Sequence, residues 1–385
     1  MKQIIRAIFS FLALILVGCK EPNYGTTPDM TIASLGTPED NEIWFTTTDG
    51  RVLQSLDTNA FDAAVQEIIY SDMGVNVIRF ANAVTEIGEE AFKGCFNIFN
   101  LSLPNSVQRI ETWAFLDCKN MEAITLGMGL QSCGKDAFEG CYNLHSLHIP
   151  SMQSWCNITF ATKWANPLYF AEGLIIDGES IKVLNIPDGV EQINSYAFIY
   201  NMQINSVNIP KTVTRIGKEA FEGCDNLKKV EIESLSRWCN IEFDGELANP
   251  LTTAMTLYED GLELRDLSLT GVSYVSAYAF MNCTSIRSLQ TDSSLLGIGK
   301  SAFRNCSELT SVELGEGVKE MQMQIFFNCE KLSSVTCRAT TPPSLEGSNT
   351  FARNAENRKI FVPATSLEIY KAEWSLWADA IEAIN

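Results

Sequence analysis

The stretch Val213-Thr214-Arg215-Ile216-Gly217-Lys218-Glu219-Ala220-Phe221-Glu222-Gly223-Cys224 carries the signature that organises this chain. Its centre is Ala-Phe, with Cys three positions after the Phe. Ala91-Phe92 precedes Cys95, Ala114-Phe115 precedes Cys118, and Ala137-Phe138 precedes Cys141. Ala279-Phe280 precedes Cys283, and Ala302-Phe303 precedes Cys306. Ala197-Phe198 has Asn201 in the Cys position, and Ile325-Phe326 precedes Cys329. The first residues of these eight copies are spaced 23, 23, 60, 23, 59, 23 and 23 apart. Sixty is 23 plus 37 and 59 is 23 plus 36, so a 23-residue period is interrupted by two long units. The long units match each other: Trp155-Cys156-Asn157-Ile158 returns as Trp238-Cys239-Asn240-Ile241, 83 residues later. Ala165-Asn166-Pro167-Leu168 returns as Ala248-Asn249-Pro250-Leu251 at the same offset. A fixed period in this range is the mark of a stacked-coil architecture.

Each short unit reads as one coil. In Asn143-Leu144-His145-Ser146-Leu147-His148-Ile149-Pro150, Leu144, Leu147 and Ile149 point inward, and their alternation marks a short strand. Pro104, Pro150, Pro187 and Pro210 end that strand. A second apolar piece follows, Val84 to Ile87 or Val213 to Ile216, and the glycine after it, Gly88 or Gly217, suits a turn. The Ala-Phe pair then lies in a short helical or irregular return, with Phe filling the interior. One coil buries almost nothing, but stacked coils bury a continuous column.

The pattern Ile-Gly-x-x-Ala-Phe-x-x-Cys-x-x-Leu resembles the BspA-like leucine-rich repeats of bacterial surface proteins. The resemblance covers residues 41 to 385. It implies an α/β repeat solenoid: a right-handed coil with one continuous sheet, a short β-rich N-terminal cap and a helical C-terminal cap. Repeats then span 83–340, with long coils near 151–186 and 234–269. The N-terminal cap covers 41–82, with two strands expected around a turn at Asp49-Gly50. The C-terminal cap covers 341–385. Thr365 and Glu368 suggest a capping box for a helix carrying Leu367, Tyr370, Trp374, Trp377 and Ile381 as a lid.

The first 18 residues read as a signal peptide: Lys2 and Arg6, then an apolar run from Ala7 to Val17 too short to span a bilayer. Leu16-Val17-Gly18-Cys19 resembles the bacterial lipobox, which implies lipidation at Cys19 and a lipid anchor in the membrane. Lys20-Glu21 partly resembles the surface-export signal of Bacteroidetes lipoproteins, and Pro22 interrupts it. Residues 19–40 read as the lipidated cysteine followed by a flexible tether. The expected location is the outer membrane, facing the cell surface, with a periplasmic-facing body as the alternative.

Composition and motif content narrow the function. The net charge of -19 repels nucleic-acid phosphates, so no nucleic acid is expected as partner. His145 and His148 are the only histidines. The cysteines sort by register into buried packing positions, with Cys133 and Cys337 in place of inward aliphatics, and none has zinc-finger spacing. Gly297-Ile298-Gly299-Lys300-Ser301 lacks the first glycine of a phosphate loop and falls in register with the repeat. No catalytic constellation, cofactor or metal site is expected, so a hydrolase is disfavoured. Positions one, four and seven after the repeat Cys should face outward. They are Phe96, Phe99 and Ser102 in the first coil, and Tyr142, His145 and His148 in the third. Aromatic area at Phe96, Phe99, Tyr142, His145 and His148 marks a candidate ligand surface. The expected role is binding of a protein or glycan, with host extracellular matrix among the ligands that the resemblance implies. The alternative is a scaffold subunit of an envelope complex, without a ligand of its own.

Overall fold

A computed structural model describes residues 37–71, 74–171 and 173–384. The expected signal peptide, Cys19 and most of the tether lie outside these residues. Successive coils stack in parallel register, one strand per coil. Val207 pairs with Leu184 of the coil before and Val230 of the coil after, and Ile209 pairs with Ile232. These inward positions alternate with half-exposed ones, as in the buried–exposed pattern of Lys229–Ile232. A second, narrower ladder runs alongside, built from two-residue strands such as Glu86–Ile87, Arg109–Ile110 and Ser132–Cys133.

The sheet is not continuous, contrary to the expectation from the resemblance. It divides into segments of eight, five and six strands. The reason lies in the long coils. Each contains an antiparallel hairpin, Leu174–Ile176 with Glu179–Ser180 and Leu257–Glu259 with Leu262–Glu263. The turns are Asp177-Gly178 and Asp260-Gly261, all four residues at positive φ, as the tightest hairpin turns require. The returning strand takes the edge hydrogen bonds that the next coil would have used.

The interior is a column of aromatic rings. Phe92, Phe115 and Phe138 stack at 5.1 and 5.0 Å, and Phe280, Phe303 and Phe326 at 4.9 and 5.6 Å. Each repeat cysteine inside a run of short coils donates its thiol to the Phe carbonyl of the coil before. Cys118 reaches Phe92 at 3.1 Å, Cys224 reaches Phe198 at 3.1 Å, and Cys329 reaches Phe303 at 3.1 Å. All eleven cysteines of the repeat body are free and buried. The cysteine is therefore chosen as a small donor as well as a small apolar filler.

The recurring tetrapeptides of the long coils have a physical reason. In short coils the Phe N–H donates to the Ala carbonyl of the next coil, as from Phe115 to Ala137 at 2.8 Å. A long coil has no such Phe. The Trp155 indole N–H reaches the Ala197 carbonyl at 3.0 Å instead, and Trp238 reaches Ala279 at 2.9 Å. Asn166 and Asn249 donate to the adjacent Tyr196 and Tyr278 carbonyls, each at 2.7 Å. Without these side chains, the buried Ala197 and Ala279 carbonyls would be orphaned.

One further expectation is extended and two need correction. The glycine of Ile-Gly does open a turn, the Gly217 carbonyl accepting from the Ala220 N–H at 3.2 Å, and it also lets coils approach. A Cβ on Gly217 would stand 2.4 Å from the Ser195 nitrogen. At the N-terminus Asp49-Gly50 does not join two strands. Glu42–Thr47 pairs instead with Asn76–Phe80 and with the first coil strand, Ile98–Ser102, both antiparallel. The C-terminal lid is only partly helical. Ala364–Ser366 forms a short 3-10 turn, so Thr365 is no N-cap, and Ser366 at that position makes no side-chain cap bond. The α-helix is Leu367–Glu373, Ser375–Ala380 is a 3-10 helix, and Ile381 begins a strand parallel to Lys359–Val362. Tyr370 and Trp374 still close the column, donating to the Ala339 and Pro343 carbonyls at 2.8 and 3.0 Å.

Candidate interaction surface

Among the described residues no helix is long and apolar enough to cross a membrane. No group of three or more His, Cys, Asp or Glu side chains among them is arranged to hold a metal. On the surface of the repeat body, stacking decides which outward residues meet. The first position after the repeat Cys forms one row down the solenoid: Phe96, Lys119, Tyr142. The fourth forms another: Phe99, Glu122, His145. The backbone ties this second row together, with Glu122 N–H donating to the Phe99 carbonyl at 2.7 Å and His145 N–H to the Glu122 carbonyl at 3.1 Å.

The five candidates therefore do not gather into one apolar patch, because the second coil puts Lys119 and Glu122 between them. Phe96 and Tyr142 are exposed, at 47% and 63%, but lie two coils apart. His145 faces Glu122, its Nε2 at 3.8 Å from the carboxylate, and Phe99 is half-buried. His148 pairs between Thr125 and Ile175. The second neighbour belongs to the long-coil hairpin, and burial there holds the imidazole below its usual pKa. Ser102, expected outward, is buried. Its cross-strand partner is Trp44 of the cap, whose large side chain shares that face of the sheet.

Tyr142 does have aromatic company, from a direction the sequence did not suggest. Its ring centroid lies 6.1 Å from Phe170 of the first long coil. Phe170 lies 5.0 Å from Tyr169, and Tyr169 lies 5.1 Å from Tyr200 of the next coil. These rings form a ridge crossing three coils, open at Tyr142, half-buried at Tyr169 and Tyr200, and buried at Phe170. Lys163 stands over both Trp164 and Tyr169, 5.6 and 6.0 Å from their centroids. Tyr200 is the unexpected member. Two positions in every short coil, two residues before and two after the Phe, have positive φ. At the second of these the other coils use Gly94, Asp117, Gly140, Gly223, Asn282, Asn305 and Asn328, residues that tolerate the left-handed region. Tyr200 adopts φ 54° there, at a cost of roughly 1–2 kcal/mol. The one sequence signal was that this same coil also replaces Cys with Asn201.

The register also explains a lysine–aromatic pairing that recurs outside the ridge. Trp113, Tyr196 and Tyr278 occupy the first positive-φ position, and Lys135, Lys218 and Lys300 of the next coil stand over them at 5.9 Å each. The backbone bonds that align them run from each aromatic N–H to the lysine carbonyl, at 3.1, 2.9 and 2.9 Å.

The BspA-type leucine-rich-repeat model matches six copies over residues 54–164, 176–245 and 258–374. The chain belongs to that family. No curated protein matches it. Among solved structures it is similar to a leucine-rich repeat protein from Bacteroides ovatus, at 19% identity over 90% of this chain and 99% of that one, with a TM-score of 0.38. It is also similar to a leucine-rich cell surface protein from Faecalibacterium prausnitzii, at 15% identity, 87% and 96% coverage, and a TM-score of 0.39. These likenesses are too loose to transfer a ligand or a site.

Proposed function

We propose that this member of the family is an envelope-anchored recognition protein. A lipid on Cys19 holds it at the outer membrane, the tether spaces the body from the bilayer, and the repeat body binds a protein partner at the cell surface. The sequence around Cys19 supports the anchor. The observation that carries recognition is the ridge on the N-terminal half: Tyr142 is 63% exposed and continues into packed rings of the first long coil. A rigid stack of coils offering such a ridge suits a binding role, since coils bury their cores against each other and leave the outward side chains free to vary. Adhesion to host matrix is the setting that fits a surface-facing body.

Two measurements test the reading. Cys19→Ala should abolish lipid labelling and release the chain from the membrane fraction; unchanged membrane association would remove the anchor from the account. Protease added to intact cells should cut the body. Full protection would place it on the periplasmic side and favour the scaffold role.

A further inference from the structure

We propose that the ridge from Tyr142 to Tyr200 is a docking site for an arginine- or lysine-bearing segment of a protein partner, with a basic side chain seated on the open Tyr142 face. The inference rests on reading the N-terminal half as the contact surface, and it adds the chemistry of the partner.

Three observations carry it. The ring faces at this place already accept a cation, since Lys163 lies over Trp164 and Tyr169. The negative face of an aromatic ring attracts ammonium and guanidinium groups. Over Tyr142, the most exposed ring of the ridge, no lysine or arginine of the described residues is placed, and Lys119 in the preceding coil is paired with Asp117 at 3.5 Å.

At the far end of the ridge Glu219, Glu222 and Asp225 outnumber the cations, Lys163 and Lys218, of which Lys218 is paired with Glu219 at 3.3 Å. Burial, with Glu222, Asp225 and Glu219 nearby, pushes the Tyr200 hydroxyl up. Burial and its bond to Glu219 hold Glu222 above the usual carboxylate range. Asp225 is exposed and makes no ion pair among the described residues. A cationic side chain would relieve this crowding, and the net charge of -19 would draw a basic segment in.

Ring geometry argues against a sugar. Successive rings are inclined at 73°, 71° and 70°, so they offer no flat platform for stacked pyranoses. A single side chain needs only one open face, and Tyr142 supplies it. The left-handed backbone at Tyr200 adds that a ring is kept where glycine or asparagine would fit without strain.

The test uses the full-length protein in micelles of an uncharged detergent. Fluorescence anisotropy would follow a labelled hexa-arginine peptide at about 0.15 M salt, where distant surface charges are screened. Tyr142→Ala combined with Trp164→Ala should weaken binding at least about tenfold, Tyr142→Ala alone by severalfold, and Tyr142→Phe should restore it. Asp225→Asn should also weaken it. Glu330→Gln removes one charge at the register position of Tyr142 in a distant coil, and should change affinity by less than about twofold. The proposal is overturned if the ring variants bind as the parent does, or if Glu330→Gln weakens binding as much as Asp225→Asn. It is also overturned if a neutral hexasaccharide binds at the ridge and the peptide does not. Any of these results, with Cys19-dependent anchoring and surface exposure intact, would remove the partner chemistry and leave the recognition role standing.

Discussion

Replacing Phe115 by Ala should be among the most damaging single changes in this protein. The side chain is 0% exposed and lies between Phe92 and Phe138 at 5.1 and 5.0 Å, each pair inclined by 13°. Truncating a buried Phe costs about 3–5 kcal/mol, and each aromatic pair lost adds about 0.5–1.5 kcal/mol. Phe221 is equally buried but stacks on one side only, with Phe198 at 5.4 Å. Phe115→Ala should thus cost about 1 kcal/mol more than Phe221→Ala. Urea unfolding would measure the totals. Hydrogen exchange would locate the loss in the coils of Phe92 and Phe138, since each coil leans only on its neighbours. A cost below about 1 kcal/mol for Phe115→Ala would refute the ring column. Uniform loss of protection along the whole chain would refute the nearest-neighbour account.

Gly217→Ala should lower the melting temperature, because the new Cβ would stand 2.4 Å from the Ser195 nitrogen and 2.8 Å from its Cα; overpacking of this kind costs about 1–3 kcal/mol, and an unchanged midpoint would show that the coils can separate freely. Burial pushes the Cys283 thiol up to about 11, and the Cys156 and Cys224 thiols up to about 12. Folding therefore retains protons that the unfolded chain releases near pH 9. Stability from this source is full below that pH and is lost as pH rises through 9 to 12, by up to ~1.4 kcal/mol per pH unit for each thiol. Thermal melts should be flat near neutrality and fall steeply above pH 9, less steeply in Cys224→Ala; melts unchanged up to pH 11 would contradict thiol burial. Thiol reagents at pH 8 should label almost none of the eleven body cysteines in the folded protein and all of them in denaturant; four or more missing thiols would indicate disulfides.

The candidate surface was only half legible from residue order. Counting from each Cys found Tyr142, which is exposed, and Phe96, which is exposed two coils away. It passed over the intervening coil, whose Lys119 and Glu122 occupy the same rows. It also missed Tyr169, Phe170 and Tyr200. Tyr169 and Phe170 belong to an insertion outside the 23-residue period, so no register count reaches them, and their contact with Tyr142 exists only once coils stack.

Periodicity alone determined the coil, its inward residues and its cysteine positions. A repeated unit leaves only one way to bury its Leu, Ile and Phe at every turn. Where the period fails, tertiary structure decided. The Asp-Gly hairpins divide the sheet because a returning strand uses up edge hydrogen bonds, which neither local propensity nor spacing records. Trp155 and Trp238 are explained by orphaned carbonyls 42 and 41 residues later in the chain, a debt visible only in three dimensions. Ile381 sits at helical spacing from Trp377 and Trp374, yet an open edge at Lys359–Val362 draws it into a strand. Unpaired backbone groups on that last coil outweigh the local pattern, because a strand there satisfies donors and acceptors that an amphipathic helix would leave exposed.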